Sequence, residues 1–213
     1  MPRTYRKAKR AEAQEETREK ILGATVALHL EKGVATTSYS DVAERAGVGV
    51  ATVYRHFPTM GSLVEACGAL IWQTIEPPQP KHAQTLFAGH RSRAARLQEL
   101  VRELDAFYVR ATAPLWSAVR DHDRVPELAL FLKDVRAGVT ALIAAAMDED
   151  AQAHPVRIAA AVADFTVWLA LSGAGAGPEE RTRLMLAMIE AVLSAPPPGA
   201  GQSRRAGRST TRR

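Results

Sequence analysis

A glycine-containing bend between two short helices is the feature that most constrains what this chain can fold into. Gly47-Val48-Gly49 interrupts an apolar pattern that has helical spacing on both sides. Ser38 and Asp41 stand at the S-x-x-D spacing of a capping box, which marks the start of a helix. After the bend, Val53 and Phe57 lie one helical turn apart and are expected to face inward. The segment therefore predicts a helix-turn-helix.

The chain as a whole indicates an all-α protein. Hydrophobic residues make up 46% of the 213 residues and aromatic residues only 6%, a composition rich in alanine that favours helices over an all-β fold. The first helix is predicted to begin near Thr17 and to end before Gly33, and Thr59 can cap a fourth helix.

Prolines divide the second half of the chain. The proline-rich break at 77–80 cannot continue a helix, and a long amphipathic helix is predicted over 91–111, followed by a short one over 114–120. Later helices are predicted to open near three further prolines, a residue favoured at the first helical position: Pro126, Pro155 and Pro178.

Hydropathy and cysteine content favour a protein of the cytoplasm. The most apolar stretch, 158–177, carries Asp164 near its middle, and a carboxylate there disfavours a membrane span. We interpret this stretch as a buried helix. No apolar run occurs in the first twenty residues, so no signal peptide is expected. Cys67 is the only cysteine, which excludes an internal disulfide and suits a reducing compartment.

Positive charge is concentrated at the two ends of the chain. Residues 1–11 and residues 191–213 each carry five basic side chains and no acidic one. Because the whole chain is +5, residues 12–190 carry a net charge of −5. Basic tails on an acidic body suggest a polyanionic partner, although a solubilising role is the simpler interpretation of the C-terminal tail.

The segment around the bend resembles a known family. The run from Ser38 to Phe57, SYSDVAERAGVGVATVYRHF, resembles the N-terminal signature of the tetracycline-repressor (TetR) family of transcriptional regulators. The match extends downstream to Leu63 and upstream through Ile21, Leu22, Ala24, Leu28 and Gly33. Three positions depart from the family pattern. Gly49 stands where a capping serine is usual, Met60 stands where a phosphate-touching lysine is usual, and Gly23 weakens the first helix.

The resemblance implies a fold and a division of the chain. The fold is an N-terminal three-helix helix-turn-helix DNA-binding domain followed by a C-terminal helical domain for ligand binding and dimerisation. The division is a basic N-terminal arm at 1–16, the DNA-binding domain at 17–62, the effector-binding and dimerisation domain at 63–195, and a disordered basic tail at 196–213.

The implied function is sequence-specific DNA binding by a transcriptional regulator, expected to be a repressor that a small apolar effector releases from a palindromic operator. In the helix after the bend, Val50, Ala51 and the methyl group of Thr52 can contact thymine methyl groups. Arg55 prefers guanine if it reaches a base edge. Tyr54 and His56 are expected at phosphates, and the basic arm in a minor groove or on the backbone. The implied DNA-contacting residues are Ser38, Tyr39, Ser40, Gly49, Val50, Ala51, Thr52, Tyr54, Arg55 and His56.

Of the last two predicted helices, within 155–195, the penultimate one is apolar nearly all round and therefore needs cover from more than one side. A two-fold homodimer that packs them into a four-helix bundle would supply it. Aromatic residues of the second unit are candidates to line an effector pocket: Phe107, Tyr108, Trp116, Phe131, Phe165 and Trp168.

No catalytic motif is recognised, and we expect neither an enzyme nor a cofactor. The histidines are scattered, and Asp121-His122-Asp123 is interpreted as a solvated loop rather than a metal site. Two alternatives stay open. One is a helical dimer that binds small molecules but little or no DNA, which Met60 and an excess of acidic over basic residues in 12–60 favour. The other is a transcriptional activator of the same fold.

Overall fold

The computed structural model describes residues 3–194, with side chains described for residues 7–194. Within that range the protein is built of helices and connecting turns, so the all-α fold class is confirmed. The predicted tail at 196–213 lies outside the described residues. The α-helices are α1 (Arg3–Glu31), α2 (Tyr39–Ala46), α3 (Val50–His56), α4 (Met60–Ile75), α5 (Ala83–Leu86), α6 (Arg93–Asp121), α7 (Pro126–Met147), α8 (His154–Val162), α9 (Phe165–Gly173) and α10 (Pro178–Ser194), and a 3-10 turn (Pro80–His82) precedes α5.

The first helix begins earlier than the sequence predicted. Thr17 is not an N-cap, because its hydroxyl donates back to the carbonyl of Ala13 at 2.8 Å in the middle of α1. One turn apart, Lys20 pairs with Glu16 at 2.7 Å and supports the same stretch. The predicted start at Thr17 is therefore wrong, and the basic arm is helical from Arg3.

Helices α1 to α4 form a head around one small core. α1 packs along α2 and α4, and α3 packs on α2 across the bend. The predicted inward positions of Val53 and Phe57 are confirmed, and the other apolar residues of this core also recur at helical spacing. The buried members are Ile21, Leu22, Leu28, Val42, Ala43, Val53, Phe57, Leu63 and Cys67.

The remaining helices, α5 to α10, form the body of the protein. The linker after α4, residues 76–79, crosses the body at Gly138, where only glycine fits. A β-carbon on Gly138 of α7 would collide with the carbonyl oxygen of Pro78. Because Gly138 has no side chain, the linker can lie directly against α7.

Helix α6 is continuous, although the sequence predicted two helices here. Pro114 lacks the N–H that would bond to the carbonyl of Arg110, which normally kinks or ends a helix. Phe107 before the proline and Leu115 after it are both fully buried in the same core. Packing of both halves against α7 thus offsets the missing hydrogen bond, and the predicted break at 112–113 is wrong.

The most apolar stretch is two helices rather than one buried helix. Asp164 accepts a hydrogen bond from the backbone amide of Thr166 at 2.9 Å and caps α9 after a break that follows α8. By length and composition alone, His154–Gly173 is long and apolar enough to cross a membrane, with a mean hydropathy of 1.4. Only 28% of its most apolar window is buried within the chain, so the expectation of burial is wrong for a single protomer.

A buried polar cluster fixes the last helix against the body. Asp105 of α6 accepts hydrogen bonds from Trp168 Nε1 at 2.7 Å and from Arg181 Nε at 2.8 Å. The Arg181 guanidinium also lies over the Trp168 ring, 5.0 Å from its centroid. Because each member of the cluster is paired, the cluster holds α9 and α10 in one position relative to α6.

Candidate nucleic-acid interface and adjoining cavities

The bend between α2 and α3 is fixed by its caps. The predicted capping box is confirmed: Ser38 Oγ accepts from the Asp41 amide at 3.3 Å, and Asp41 Oδ2 accepts from the Ser38 amide at 2.7 Å. Gly47 ends α2 in the left-handed region, with φ of 66°. Gly49 begins α3 without a side-chain cap hydrogen bond.

Helix α3 has one buried and one exposed face. Val53 is fully buried and Phe57 is 3% exposed, as predicted. Thr52 and His56 are half-buried at the edges of the helix. The outward face carries four of the proposed contact residues, all exposed: Val50, Ala51, Tyr54 and Arg55.

The remaining proposed contacts cluster near the start of α2. Ser38 and Ser40 are exposed there, and the half-buried Tyr39 stacks on Tyr54 with ring centroids 4.1 Å apart. The Tyr39 hydroxyl donates to the carbonyl of Phe57 at 2.8 Å. Burial, and then the neighbouring Tyr54, raises the pKa of Tyr39, so its hydroxyl remains a donor. Tyr39 therefore braces the end of α3, whereas Tyr54 points outward with 51% of its surface exposed.

Two acidic groups near the bend are paired with basic side chains. Arg45 holds Glu31 through two hydrogen bonds of 2.9 and 2.7 Å. Lys32, aided by the hydrogen bonds from Ser38, keeps the pKa of Asp41 well below its usual range. Arg55 makes no ion pair with the residues that the structure describes, so its guanidinium can meet an external anion or a base edge.

The head rests on the body through buried hydrogen bonds that the sequence did not reveal. Asp121 Oδ2 accepts from the backbone amides of Val34 at 2.7 Å and Ala35 at 3.2 Å. Ser117 Oγ donates to the carbonyl of His29 at 3.1 Å. Asp121 is only 7% exposed, so the expectation of a solvated loop is wrong for this residue. No spacing rule signals a contact between residues so far apart in the chain.

A cavity of about 270 Å³ lies at this junction, between α1, α4, α6 and α7. Trp72 and Phe131 form part of its apolar wall and meet edge to face, with centroids 5.8 Å apart. His29 also lines it, and burial lowers the pKa of His29 to about 4, although the charge of Asp121 opposes this shift. The His29 ring is therefore neutral at physiological pH.

The six aromatic residues proposed for an effector pocket do not line one common cavity. Phe131 lines the junction cavity. Tyr108 and Phe165 line a second cavity of about 410 Å³ between α6, α7, α8 and α9, and the Tyr108 hydroxyl donates to the carbonyl of Ala163 at 2.7 Å.

The other three aromatic residues have different surroundings. Phe107 is fully buried in the body core, and Trp168 belongs to the polar cluster with Asp105. Trp116 is 48% exposed on the surface of α6. The proposal that Trp116 lines a pocket is therefore wrong. A helical period alone does not say which aromatic residues border empty space.

The described side chains offer little nucleophilic or metal chemistry. No group of three or more His, Cys, Asp or Glu residues within 7–194 is arranged to hold a metal ion. Cys67 is buried in the wall of the junction cavity, and burial raises the pKa of its thiol to about 12. The thiol is therefore protonated and a weak nucleophile at neutral pH.

Fold and site together define a helix-turn-helix protein in which the head, α1 to α4, is joined to a larger helical body. A family model described as bacterial regulatory proteins of the tetR family matches residues 21–67. This match lies within the head and confirms the resemblance to the tetR family that the sequence indicated.

Two curated relatives carry the same name. The chain is 35% identical over 98 residues to the HTH-type transcriptional repressor KstR of Rhodococcus jostii, a match covering 43% of this chain and 46% of the relative. It is 46% identical over 59 residues to KstR of Mycolicibacterium smegmatis, covering 27% of this chain and 29% of the relative. The chain thus matches less than half of the length of either relative.

Solved structures share the overall fold. A transcriptional regulator from Streptomyces coelicolor A3(2) has a TM-score of 0.60 at 21% identity, covering 84% of this chain and 99% of that one. The multidrug binding protein EbrR, complexed with imidazole, has a TM-score of 0.59 at 20% identity, covering 85% and 92%. At these identities the likeness shows the fold alone.

Proposed function

We propose that this protein is a cytoplasmic, homodimeric transcriptional repressor, neither an enzyme nor dependent on a cofactor, that binds a palindromic operator and is released by a small molecule. The observation that carries the proposal is the outward face of α3. Val50 there is 39% exposed, and among the described valines only Val109 is more exposed. Beneath it, Val53 anchors α3 to the head core, so the exposed face is presented on a rigid support.

The outward face suits direct readout of a major groove. Val50, Ala51 and the methyl group of Thr52 can contact thymine methyl groups, and Arg55 can bond the O6 and N7 atoms of guanine. Tyr54 and His56 would fix the register by contacting phosphates, together with the exposed polar start of α2 and Gly49.

Dimerisation through 155–195 is supported by apolar side chains that one protomer leaves uncovered. Ile158 of α8 is 37% exposed, and Ala161, Ala170 and Ala191 are also exposed along α8, α9 and α10. A two-fold dimer would cover them. It would also present two α3 helices to half-sites about one turn of DNA, roughly 34–36 Å, apart.

Release by an effector would operate through α4. This helix begins in the head at Met60 and ends in the body at Ile75. A ligand that favours one position of α4 would change the distance between the two recognition helices, and a rigid pair of heads tolerates little mis-spacing.

Selection of bound fragments from random DNA tests the proposal. We expect the selected fragments to share a two-fold symmetric consensus. Ala51→Glu places a carboxylate on the DNA-facing side of α3, where the DNA phosphates repel it, and should abolish enrichment of the consensus. The matched control is Ala145→Glu, which alters an exposed alanine of α7 and should leave the consensus unchanged. Equal, weak binding of all fragments by the unaltered protein would contradict DNA readout.

One alternative function is favoured by a specific observation. Residues 12–60 contain five basic against seven acidic side chains, and Met60 supplies no positive charge at the start of α4. These features suit a dimer that binds small molecules and little DNA. The same selection experiment separates the two, since that protein would return no consensus. An activator of the same fold would return a consensus and raise, rather than lower, transcription of a reporter placed behind it.

A further inference from the structure

The junction cavity has the size of a site for a small ligand. Its volume, about 270 Å³, falls near the lower end of the range of roughly 300–1,000 Å³ found for ligand sites, which suits one substituted ring. Head and body both contribute walls, because Val26 and Leu30 come from α1 whereas Leu128 and Phe131 come from α7.

The charged residues at this cavity are all acidic. Glu65, Glu127 and Asp134 are among the described residues that line it, and no Lys or Arg is among them. Behind them, Trp72 and Phe131 offer aromatic surfaces, which attract cations. Charge complementarity therefore favours a ligand that joins an apolar ring to a positive charge.

One polar atom in the wall has no partner. His29 is 7% exposed, and its Nε2 makes no hydrogen bond with any described residue. Buried polar atoms are normally paired. His29 Nε2 has almost no accessible surface, so a ligand in the cavity reaches this nitrogen only after the neighbouring side chains shift. The neutral imidazole can present a nitrogen lone pair to an ammonium N–H.

We propose that the junction cavity is the effector site and that it takes a small aromatic amine carrying a positive charge at neutral pH. This inference rests on the proposed repressor function for its regulatory meaning, but not for the binding itself. Occupancy would weaken DNA binding, because the residues around the cavity also seat the head. Ser117 bonds to His29, and Asp121 bonds to Val34.

A thiol in the wall reports occupancy directly. Cys67 lines the cavity and is the single cysteine. Its buried, protonated thiol reacts slowly with iodoacetamide, so the assay compares the slow alkylation rate of the full-length protein with and without a compound, and a further decrease reports occupancy of the cavity. The probe is N,N-dimethylbenzylamine, protonated at pH 7.5, and its comparator is phenylacetate, a benzyl group with the opposite charge. We expect the cation to slow alkylation at a concentration about tenfold lower than the anion. Equal protection by both, or none by the cation, would overturn the proposal.

Two sets of variants test the location and the charge. Gly68 lines the cavity and has open space around its missing β-carbon, so Gly68→Leu should fill the cavity and abolish protection by the cation. Gly23→Leu, which also points into open space on α1, should retain it. If Gly68→Leu fails to fold, the exposed pair Glu65→Gln and Asp134→Asn serves instead and should cut the preference for the cation at least threefold.

The matched control for that pair is Glu149→Gln with Asp123→Asn, two exposed acidic residues that do not line the cavity, and it should keep the full preference. An unchanged preference in the cavity variants would overturn the proposal.

Measuring the effect of cation binding on DNA binding tests the effector site separately from the proposed repressor function. With the selected operator, a saturating amount of N,N-dimethylbenzylamine should lower DNA affinity at least fivefold, and the operator should weaken cation binding by the same factor. Binding of the operator without protection of Cys67 would overturn the effector site alone. Protection of Cys67 without any DNA consensus would support the site while overturning the repressor function.

Discussion

Asp121, at the end of α6, accepts a hydrogen bond of 2.7 Å from the backbone amide of Val34, directly after the first helix of the head. The bond joins two residues 87 positions apart in the chain. Arg120 pairs with the same carboxylate at 3.1 Å. The orientation of the head on the body therefore depends in part on this carboxylate, together with the hydrogen bond from Ser117 to His29.

Replacing this carboxylate should weaken the contact between head and body. We expect Asp121→Asn to lower the free energy of unfolding by about 1–3 kcal/mol at pH 7, because the amide accepts weaker hydrogen bonds and pairs poorly with Arg120. Urea unfolding of both proteins measures the difference.

The effect of Asp121→Asn should depend on pH. Burial raises the pKa of Asp121, but the hydrogen bonds from Arg120 and from the Ala35 and Val34 amides outweigh burial and set the pKa below its usual value. A carboxyl with a lowered pKa stabilises the fold above its unfolded pKa, near 3.9, and loses this contribution as the pH falls through the folded value. The difference between the two proteins should therefore shrink below about pH 4. A difference that is constant down to pH 3 would contradict this account.

His29 predicts a second pH dependence, at higher pH. Burial lowers the pKa of His29 to about 4, whereas the unfolded chain binds a proton near pH 6.5. Between these values the unfolded state holds more protons, so stability falls as the pH drops from about 6.5 to 4, by up to about 3 kcal/mol. His29→Leu should remove most of this slope in a series of urea unfolding curves. The exposed His154→Gln is the control, and equal slopes in all three proteins would rule the explanation out.

The stacked tyrosines should separate stability from DNA affinity. Tyr39→Phe removes the hydrogen bond to the carbonyl of Phe57 and should cost about 1 kcal/mol of stability. Tyr54→Phe keeps the stack and should leave the unfolding curve unchanged, but weaken binding of every DNA sequence by a similar factor, because a phosphate contact carries no sequence information. Loss of specificity in Tyr54→Phe would instead indicate a base contact.

The basic arm should contribute to the salt dependence of DNA binding. Lys7, Lys9 and Arg10 are exposed along the first turns of α1. Deleting residues 1–10 should reduce the slope of log affinity against log salt by about 0.9 for each phosphate that the arm neutralises. Deleting residues 204–213 removes the same number of basic residues from the other end and is expected to leave the slope nearly unchanged. Equal slopes after both deletions would remove the arm from the interface.

Local patterns predicted the head well. The capping box of Ser38 and Asp41 and the inward positions of Val53 and Phe57 follow from spacing and turn chemistry, which depend on neighbours within a few residues. In the body, tertiary packing overrides these rules of spacing and turn chemistry. Pro114 lies inside a continuous helix because both of its flanks are buried in one core.

The site was predictable only in part, for a related reason. The exposed face of α3 follows from the helical period. By contrast, the contact of Asp121 with Val34, and the division of the aromatic residues between two cavities, depend on how distant helices meet. No single-sequence period carries that information.

Gly138 contacts neither the proposed DNA face nor the junction cavity, yet it leaves no room for a β-carbon beside Pro78. Any replacement would displace the segment that connects the head to the body. In a library randomised at every codon, position 138 should therefore be depleted as strongly as a base-contacting residue. Its intolerance would reflect the route of the backbone rather than recognition of any molecule.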